Sequence, residues 1–137
     1  MDKPKYKPHE KSMELSYLAI LTGDIPRWIQ YIIEKNVVDF ETYPQNHPAT
    51  TEELVAMFDT NMAAARKALK SLKDEDLSKD FHLKKGEQLL FTSPVGESIS
   101  SAINHMVHHR GQLTVYLRLN DKKIPSIYGP SADSGGF

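Results

Sequence analysis

The chain has 137 residues and no cysteine. This length suits one domain, and the lack of cysteine excludes disulfides, thiolate metal sites and a cysteine nucleophile. Its 17 basic and 18 acidic side chains nearly cancel, whereas a nucleic-acid-binding protein normally has a basic excess. No apolar run approaches the ~20 residues that span a bilayer, and the N-terminus does not resemble a secretory signal. We therefore expect a cytoplasmic protein that contacts neither nucleic acid nor membrane.

The hydrophobic pattern predicts three long helices, and the first two have clear start signals. Residues 1–11, rich in lysine and proline, are predicted to be an extended lead-in. The first helix should begin with Ser12 as its N-cap and should kink or break at Pro26, which removes a helical hydrogen bond. A T-x-x-E capping box at Thr50 and Glu53 opens the second helix.

The second half of the chain predicts an extended insert, a third helix and a tail. Residues 80–92 should form two short extended pieces about a turn at Gly86. The third helix should open at Ser93, run to about Asn120 and be followed by an irregular tail over residues 121–137. Three helices of this length predict an all-α, up-and-down bundle that forms a single domain over the whole chain.

Three histidines crowd onto the third helix. The H-x-x-x-H spacing of His105 and His109 puts both rings on one face, which is how a helix holds one metal ion with two imidazoles. His108 points ~100° away from His109, and we interpret it as a pocket wall or an acid–base group. The spacing alone also fits histidines that are only hydrogen-bonded in a core. Two ligands are also fewer than the three protein ligands that a catalytic zinc usually takes. Gly111, inside the helix, indicates close approach of a neighbouring helix or a pocket.

Spacing selects no third ligand. Asp24, beside the proline in the first helix, is a weak substitute. The remaining candidates are more often solvated surface residues, and they are His9, His47, His82, Glu87 and Asp133. The serines at positions 98, 100 and 101 precede the histidines, and we interpret them as polar filler of the first helical turns.

The run from Asn104 to Arg118 resembles the last-helix signature of the DinB/YfiT-like superfamily. The segments Lys7–Met13, Leu18–Ala19 and Ile25–Trp28 and the tail Ile127–Asp133 are similar to one branch of it. The resemblance implies a four-helix bundle, often a homodimer, in which three histidines hold a divalent metal, usually nickel or zinc. It also implies an unknown small-molecule substrate, since relatives include thiol-dependent transferases and isomerases, and many others are described only as candidate metal-dependent hydrolases.

Carried over residue by residue, the resemblance assigns two metal ligands to His105 and His109. The third ligand belongs at the last position of an L-A-x-H pattern, where this chain has Leu21, which cannot bind a metal. Two functions follow as alternatives: a metal-dependent enzyme of hydrolase or thiol-dependent transferase type with a weakened site, or a degenerate, metal-free binding or assembly module. Members also carry a long first helix before Lys7, where only six residues stand here. We expect a second subunit to cover the resulting apolar seam, or the chain to be a truncated gene product.

Overall fold

A computed structural model describes residues 3–135, and about half of these residues lie in three helices. They are α1 (Leu15–Lys35), α2 (Thr51–Ser71) and α3 (Val95–Arg118). Strand β1 (Val37–Asp39) follows α1, and a 3₁₀ turn (Asp74–Ser78) leads from α2 to β2 (Asp80–Lys85) and β3 (Gln88–Pro94). Within residues 3–135, none of the helices is long and apolar enough to cross a membrane.

The predicted all-α class is wrong, because the three strands form a mixed sheet in the order β1-β2-β3. Strand β1 pairs parallel to β2, and β2 pairs antiparallel to β3. The β2–β3 hairpin is the predicted extended insert, and Gly86 sits in its turn with a φ of 58°. Strand β1 was not predicted, since three residues are too few for an alternating pattern to show. Asn36, in the left-handed conformation, ends α1 and turns the chain directly into β1.

Helix α1 differs from its prediction in two places, its N-cap and the expected kink or break at Pro26. It begins at Leu15, so Ser12 is not its cap, and it continues unbroken through Pro26. The proline removes one helical hydrogen bond. At the same turn, the buried Asn61 of α2 donates from Nδ2 to the carbonyl of Gly23 at 3.0 Å. The carbonyl that loses its helical donor to Pro26 is that of Thr22, four residues earlier, so the Asn61 bond does not replace the missing one and instead ties α2 to α1 at the next residue.

The predicted cap of α2 is confirmed. The Thr50 hydroxyl accepts a hydrogen bond from the Glu53 N–H at 3.1 Å. The Glu53 carboxylate reaches past Thr50 and accepts from the N–H of Ala49 at 2.7 Å. Helix α3 starts at Val95, so Ser93, its predicted cap, belongs to β3 instead.

Helix α1 lies at the centre and runs antiparallel to α3. Near its start, Leu15 and Leu18 pack with Tyr116 from the end of α3. Towards its end, Ile32 belongs to the same buried cluster as Val95 from the start of α3. Several large apolar side chains on α2 and α3 remain partly exposed, and these are Val55, Phe58, Leu69, Ile103 and Val107.

Gly111 lies in open space rather than against a neighbour. No other part of the described chain comes within 4 Å of the position that a β-carbon would take there. Gly111→Ala should therefore raise the free energy of unfolding by about 0.5–1 kcal/mol, since alanine is the better helix former. Denaturant unfolding followed by circular dichroism measures the change. A clear loss of stability would mean that something outside this chain covers that face of α3.

Candidate metal centre

His105 and His109, here called the histidine pair, converge one turn apart on α3. Their Nε2 atoms are 2.7 Å apart, and their ring centroids are separated by 4.4 Å. The helix fixes both β-carbons, so the rings meet without any contribution from a flexible loop. The geometry therefore presents two imidazole nitrogens at one point.

His109 is the better-fixed member of the pair. Only 5% of it is exposed, and its Nδ1 lies 2.7 Å from Oε1 of Gln112, one turn further along α3. A carboxamide oxygen can only accept, so Nδ1 carries the hydrogen and the lone pair of His109 lies on Nε2. That lone pair points at His105. In the protein alone, His105 must then donate its Nε2–H to His109.

His105 stands at the edge of a cavity. Much of the residue is exposed, but its ring forms part of the cavity wall. Partial burial lowers the pKa of His105, and the charges of His109 and His108 lower it further. The neutral imidazole, which is the form that binds metals, is therefore favoured at this position.

The contacts of neighbouring residues locate Leu21 of α1 along α3. Leu18 packs against Tyr116, whereas Ile25 shares a buried cluster with Ala102. Leu21 lies between Leu18 and Ile25 on α1. Because α1 and α3 are antiparallel, Leu21 is level with the turn of α3 that carries the histidine pair. The resemblance, and not a contact in the structure, assigns the third histidine of the family pattern to the position of Leu21.

Asp24 is held by other partners. The Tyr43 hydroxyl donates to Asp24 Oδ2 at 2.8 Å, and Nη2 of Arg27 lies 2.6 Å from Oδ1. Arg27 also donates to the Tyr43 oxygen and to the carbonyl of Pro44. Burial raises the pKa of Asp24, and the contacts with Tyr43 and Arg27 offset that rise only in part. We call these three side chains the Asp24 cluster.

No third ligand joins the histidine pair in the part of the chain that the structure describes. Over residues 3–135, no three side chains of histidine, cysteine, aspartate or glutamate lie close enough to hold one metal ion. His108 is exposed, with its ring 5.0 Å from that of His109. His9 and His47 are exposed outside the helices, and His82 hydrogen-bonds across the β2–β3 hairpin.

The cavity beside His105 has a volume of about 370 Å³. Its apolar walls come from α1, the sheet and α3, and they are Ile25, Trp28, Ile32, Phe81, Leu83, Phe91 and Ala102. Its polar wall consists of Ser93, Glu97, Ser98 and Ser101. The hydroxyls of Ser93 and Ser98 are 2.6 Å apart, and Ser98 also donates to the carbonyl of Pro94. The cavity thus combines an apolar body with a polar strip that leads to His105.

Sequence reasoning missed the part that the serines play in this cavity. Ser98, Ser101, His105, His109 and Gln112 follow one another at steps of three and four residues, so they form one polar stripe on α3. Proximity on one helix does not make a nucleophile–base pair, so the sequence alone favours polar filler as the role of the serines. The spacing that links them to the histidines is the signal that would have revealed the cavity wall.

A family model described as the DinB family matches residues 9–135. The chain belongs to the DinB family. The resemblance noted in the last helix and the tail is thereby confirmed. In this chain the fold also includes the small sheet that the all-α prediction left out.

Two solved structures share this DinB fold. A DinB-like protein, YjoA, from Bacillus subtilis is similar with a TM-score of 0.72 and 22% identity, over 93% of this chain and 82% of that one. A DinB-like protein from Bacillus cereus ATCC 10987 gives a TM-score of 0.63 and 21% identity, over 93% and 81%. Likeness at these identities shows the fold alone. A sequence match to the Bacillus subtilis (strain 168) protein YrdA has 42% identity over 40 residues, and it spans 29% of this chain and 24% of that protein.

The metal that the DinB resemblance implies fits this chain in part. Imidazole nitrogens suit both nickel and zinc, and the histidine pair presents two of them at one point. Gln112 holds the other nitrogen of His109, as hydrogen-bond partners of metal-bound histidines usually do. Leu21 supplies no donor. The donor set therefore matches two of the three protein ligands, and we expect weak rather than tight binding.

Proposed function

We propose that this DinB protein is a divalent-metal-dependent enzyme with a weakened site, in which His105 and His109 bind nickel or zinc through Nε2. The observation that carries the proposal is the convergence of these two nitrogens at 2.7 Å. The hydrogen bond from His109 to Gln112 supports it, because that bond directs the Nε2 lone pair of the buried ring towards the shared point.

The proposed reaction is of the hydrolase or the thiol-dependent transferase type, with a small molecule as substrate. A divalent ion at the histidine pair would lower the pKa of a coordinated water or thiol. Gln112 holds the His109 ring in its ligand orientation. Trp28 and Phe91 give the adjacent cavity apolar walls against which an apolar part of a substrate can pack. Ser101 and Glu97, on the polar wall, can hydrogen-bond to the polar end of a substrate.

Metal binding by three alanine variants tests this proposal. His105→Ala and His109→Ala each remove one of two ligands, so each should weaken zinc or nickel binding by at least about tenfold. His108→Ala is the matched control, since it removes a neighbouring histidine from the same helix and should leave affinity unchanged. Protein purified without an affinity tag is titrated with each ion by calorimetry, and its metal content is measured by elemental analysis. Equal metal binding in all three variants would contradict the proposal.

A metal-free function is the alternative, and Leu21 is the observation that favours it. In such a protein, His105 donates to His109, and the histidine pair is a structural element beside a binding cavity. The chain would then act as a binding or assembly module. Substoichiometric metal that is unchanged in His105→Ala would support this function over the enzyme.

A further inference from the structure

The cavity beside His105 has one acidic side chain in its lining, that of Glu97. Among the described residues, neither a lysine nor an arginine lines this cavity. Glu97 is exposed, and no other side chain within residues 3–135 forms an ion pair with it. Its carboxylate is therefore available to a ligand, and it favours a positive charge over a negative one.

The two buried serines of the polar wall have no hydrogen left to donate to a ligand. A hydroxyl carries a single hydrogen, and Ser98 donates its own to the carbonyl of Pro94 at 2.9 Å. The hydroxyls of Ser93 and Ser98 are 2.6 Å apart, so Ser93 must supply the hydrogen between them. These two hydroxyls can only accept from a ligand. A carboxylate or phosphate would gain no hydrogen bond from them, whereas an N–H group could.

Aromatic rings add a second feature that suits a cation. Trp28 from α1 and Phe91 from β3 both line the cavity. The Trp28 ring packs against Phe40 and Tyr43, with centroids at 5.8 and 5.7 Å. The faces of indole and phenyl rings carry partial negative charge, so they attract an ammonium group and also pack against an aryl or alkyl body.

Helical spacing separates the carboxylate from the histidine pair. Glu97, Ser101 and His105 recur at steps of four, so they lie along one side of α3. The eight residues from the first to the last correspond to ~12 Å along the helix axis. An extended molecule can therefore hold a cationic group beside Glu97 while its other end reaches His105.

We propose that this cavity binds a primary amine, whose ammonium group lies beside Glu97 and whose aromatic or alkyl body packs against Trp28 and Phe91. The inference deepens the proposed function and rests on it in one respect, namely that this cavity holds the substrate. The substrate is then an amine whose reacting bond lies at the end remote from its nitrogen. Binding of the amine itself needs no metal, because Glu97 lies about two helical turns from His105.

Three indole ligands test the preference for a positive charge. Tryptamine and tryptophol have the same shape and end in an ammonium group and a hydroxyl, whereas indoleacetate ends in a carboxylate. Tryptamine should bind about fivefold more tightly than tryptophol, and indoleacetate more weakly than either. The preference should shrink at high salt, because Glu97 is exposed. Calorimetric titration of the metal-free full chain measures the affinities. Equal affinities for tryptamine and tryptophol, or no binding of either, would overturn the proposal.

Two variants and one NMR signal locate the bound amine. Glu97→Gln should abolish the preference for tryptamine, whereas Glu87→Gln, at an exposed glutamate outside the lining of this cavity, should keep it. Both variants remove one negative charge, so they differ in position alone. Trp28 is the single tryptophan of the chain, and tryptamine should shift its indole N–H signal in isotope-labelled protein. A preference that survives in Glu97→Gln, or an unshifted Trp28 signal, would overturn the proposal.

The amine proposal and the metal proposal fail separately. Because the ligands are titrated into metal-free protein, a negative result overturns the amine proposal alone, and the alanine variants of His105 and His109 still decide metal binding. Absence of metal binding would overturn the proposed enzyme. A tryptamine preference that depends on Glu97 would then support an amine-binding module with the same cavity.

Discussion

Leu21→His is expected to tighten zinc or nickel binding by about 100-fold or more. Leu21 is level with the histidine pair across the antiparallel α1–α3 contact, so a histidine there supplies the third imidazole of the family pattern. Loss of a group that only supports a ligand already changes affinity by ~10–100-fold, and a direct ligand should do at least as much. Calorimetric titration with zinc and with nickel measures the effect.

The neighbouring position provides the control for this gain. Ile20→His places a histidine on the same helix but ~100° away around its axis, so it should not tighten binding. Leu21→His combined with His109→Ala should gain far less than Leu21→His alone, because the new ring would again be one of only two ligands. Equal gains from positions 20 and 21 would contradict the proposed register of α1 on α3.

Arg27→Met is expected to lower the free energy of unfolding by about 3 kcal/mol. The Arg27 and Asp24 side chains are only 12% and 14% exposed, so the change leaves a largely buried carboxylate without its cation. The substitution also removes the hydrogen bonds that Arg27 donates to the Tyr43 oxygen and the Pro44 carbonyl. These bonds join α1 to the loop after β1. Urea unfolding at neutral pH measures the loss.

Two further variants and the pH dependence identify the cause of that loss. Arg66→Met makes the same substitution at an exposed arginine of α2 and should change stability little. Asp24→Leu combined with Arg27→Met removes both charges and should recover most of the loss.

The sign of the pH dependence follows from the raised pKa of Asp24. Without Arg27 that pKa rises further, so folded Asp24 binds its proton more readily than unfolded Asp24 does. The Arg27→Met deficit should therefore be largest at neutral pH and shrink as the pH falls towards about 4. A deficit that is the same at both pH values would show that the unpaired carboxylate is not its cause.

The sequence predicted those parts of the fold that depend on neighbouring residues. The cap at Thr50 and the hairpin turn at Gly86 need only local chemistry, and both are present. The prediction failed where contacts between distant segments determine the local structure. Helix α1 continues through Pro26, which is fully buried against the rest of the fold, and β1 depends on its pairing with β2.

In the candidate site, too, local spacing predicts some features and the packing of distant segments determines the others. The convergence of His105 and His109 follows from helical spacing alone, so the sequence predicted it. The spacing of Ser98 and Ser101 puts them on the same face of α3 as the histidine pair, but only the packing of distant segments decides that this face meets the sheet. Whether Leu21 lies opposite the histidine pair depends on how α1 packs on α3. Spacing within one helix cannot predict this, so the third-ligand position at Leu21 came from the family resemblance.

The parallel pairing of β1 with β2 has a consequence for the order of folding. Val37 pairs with His82, and the whole of α2 lies between them in the chain. Bringing two such distant segments together costs loop-closure entropy before their few hydrogen bonds form. The sheet should therefore nucleate late, after α2 has docked on α1 and shortened the effective tether, whereas the β2–β3 hairpin can form early on its own.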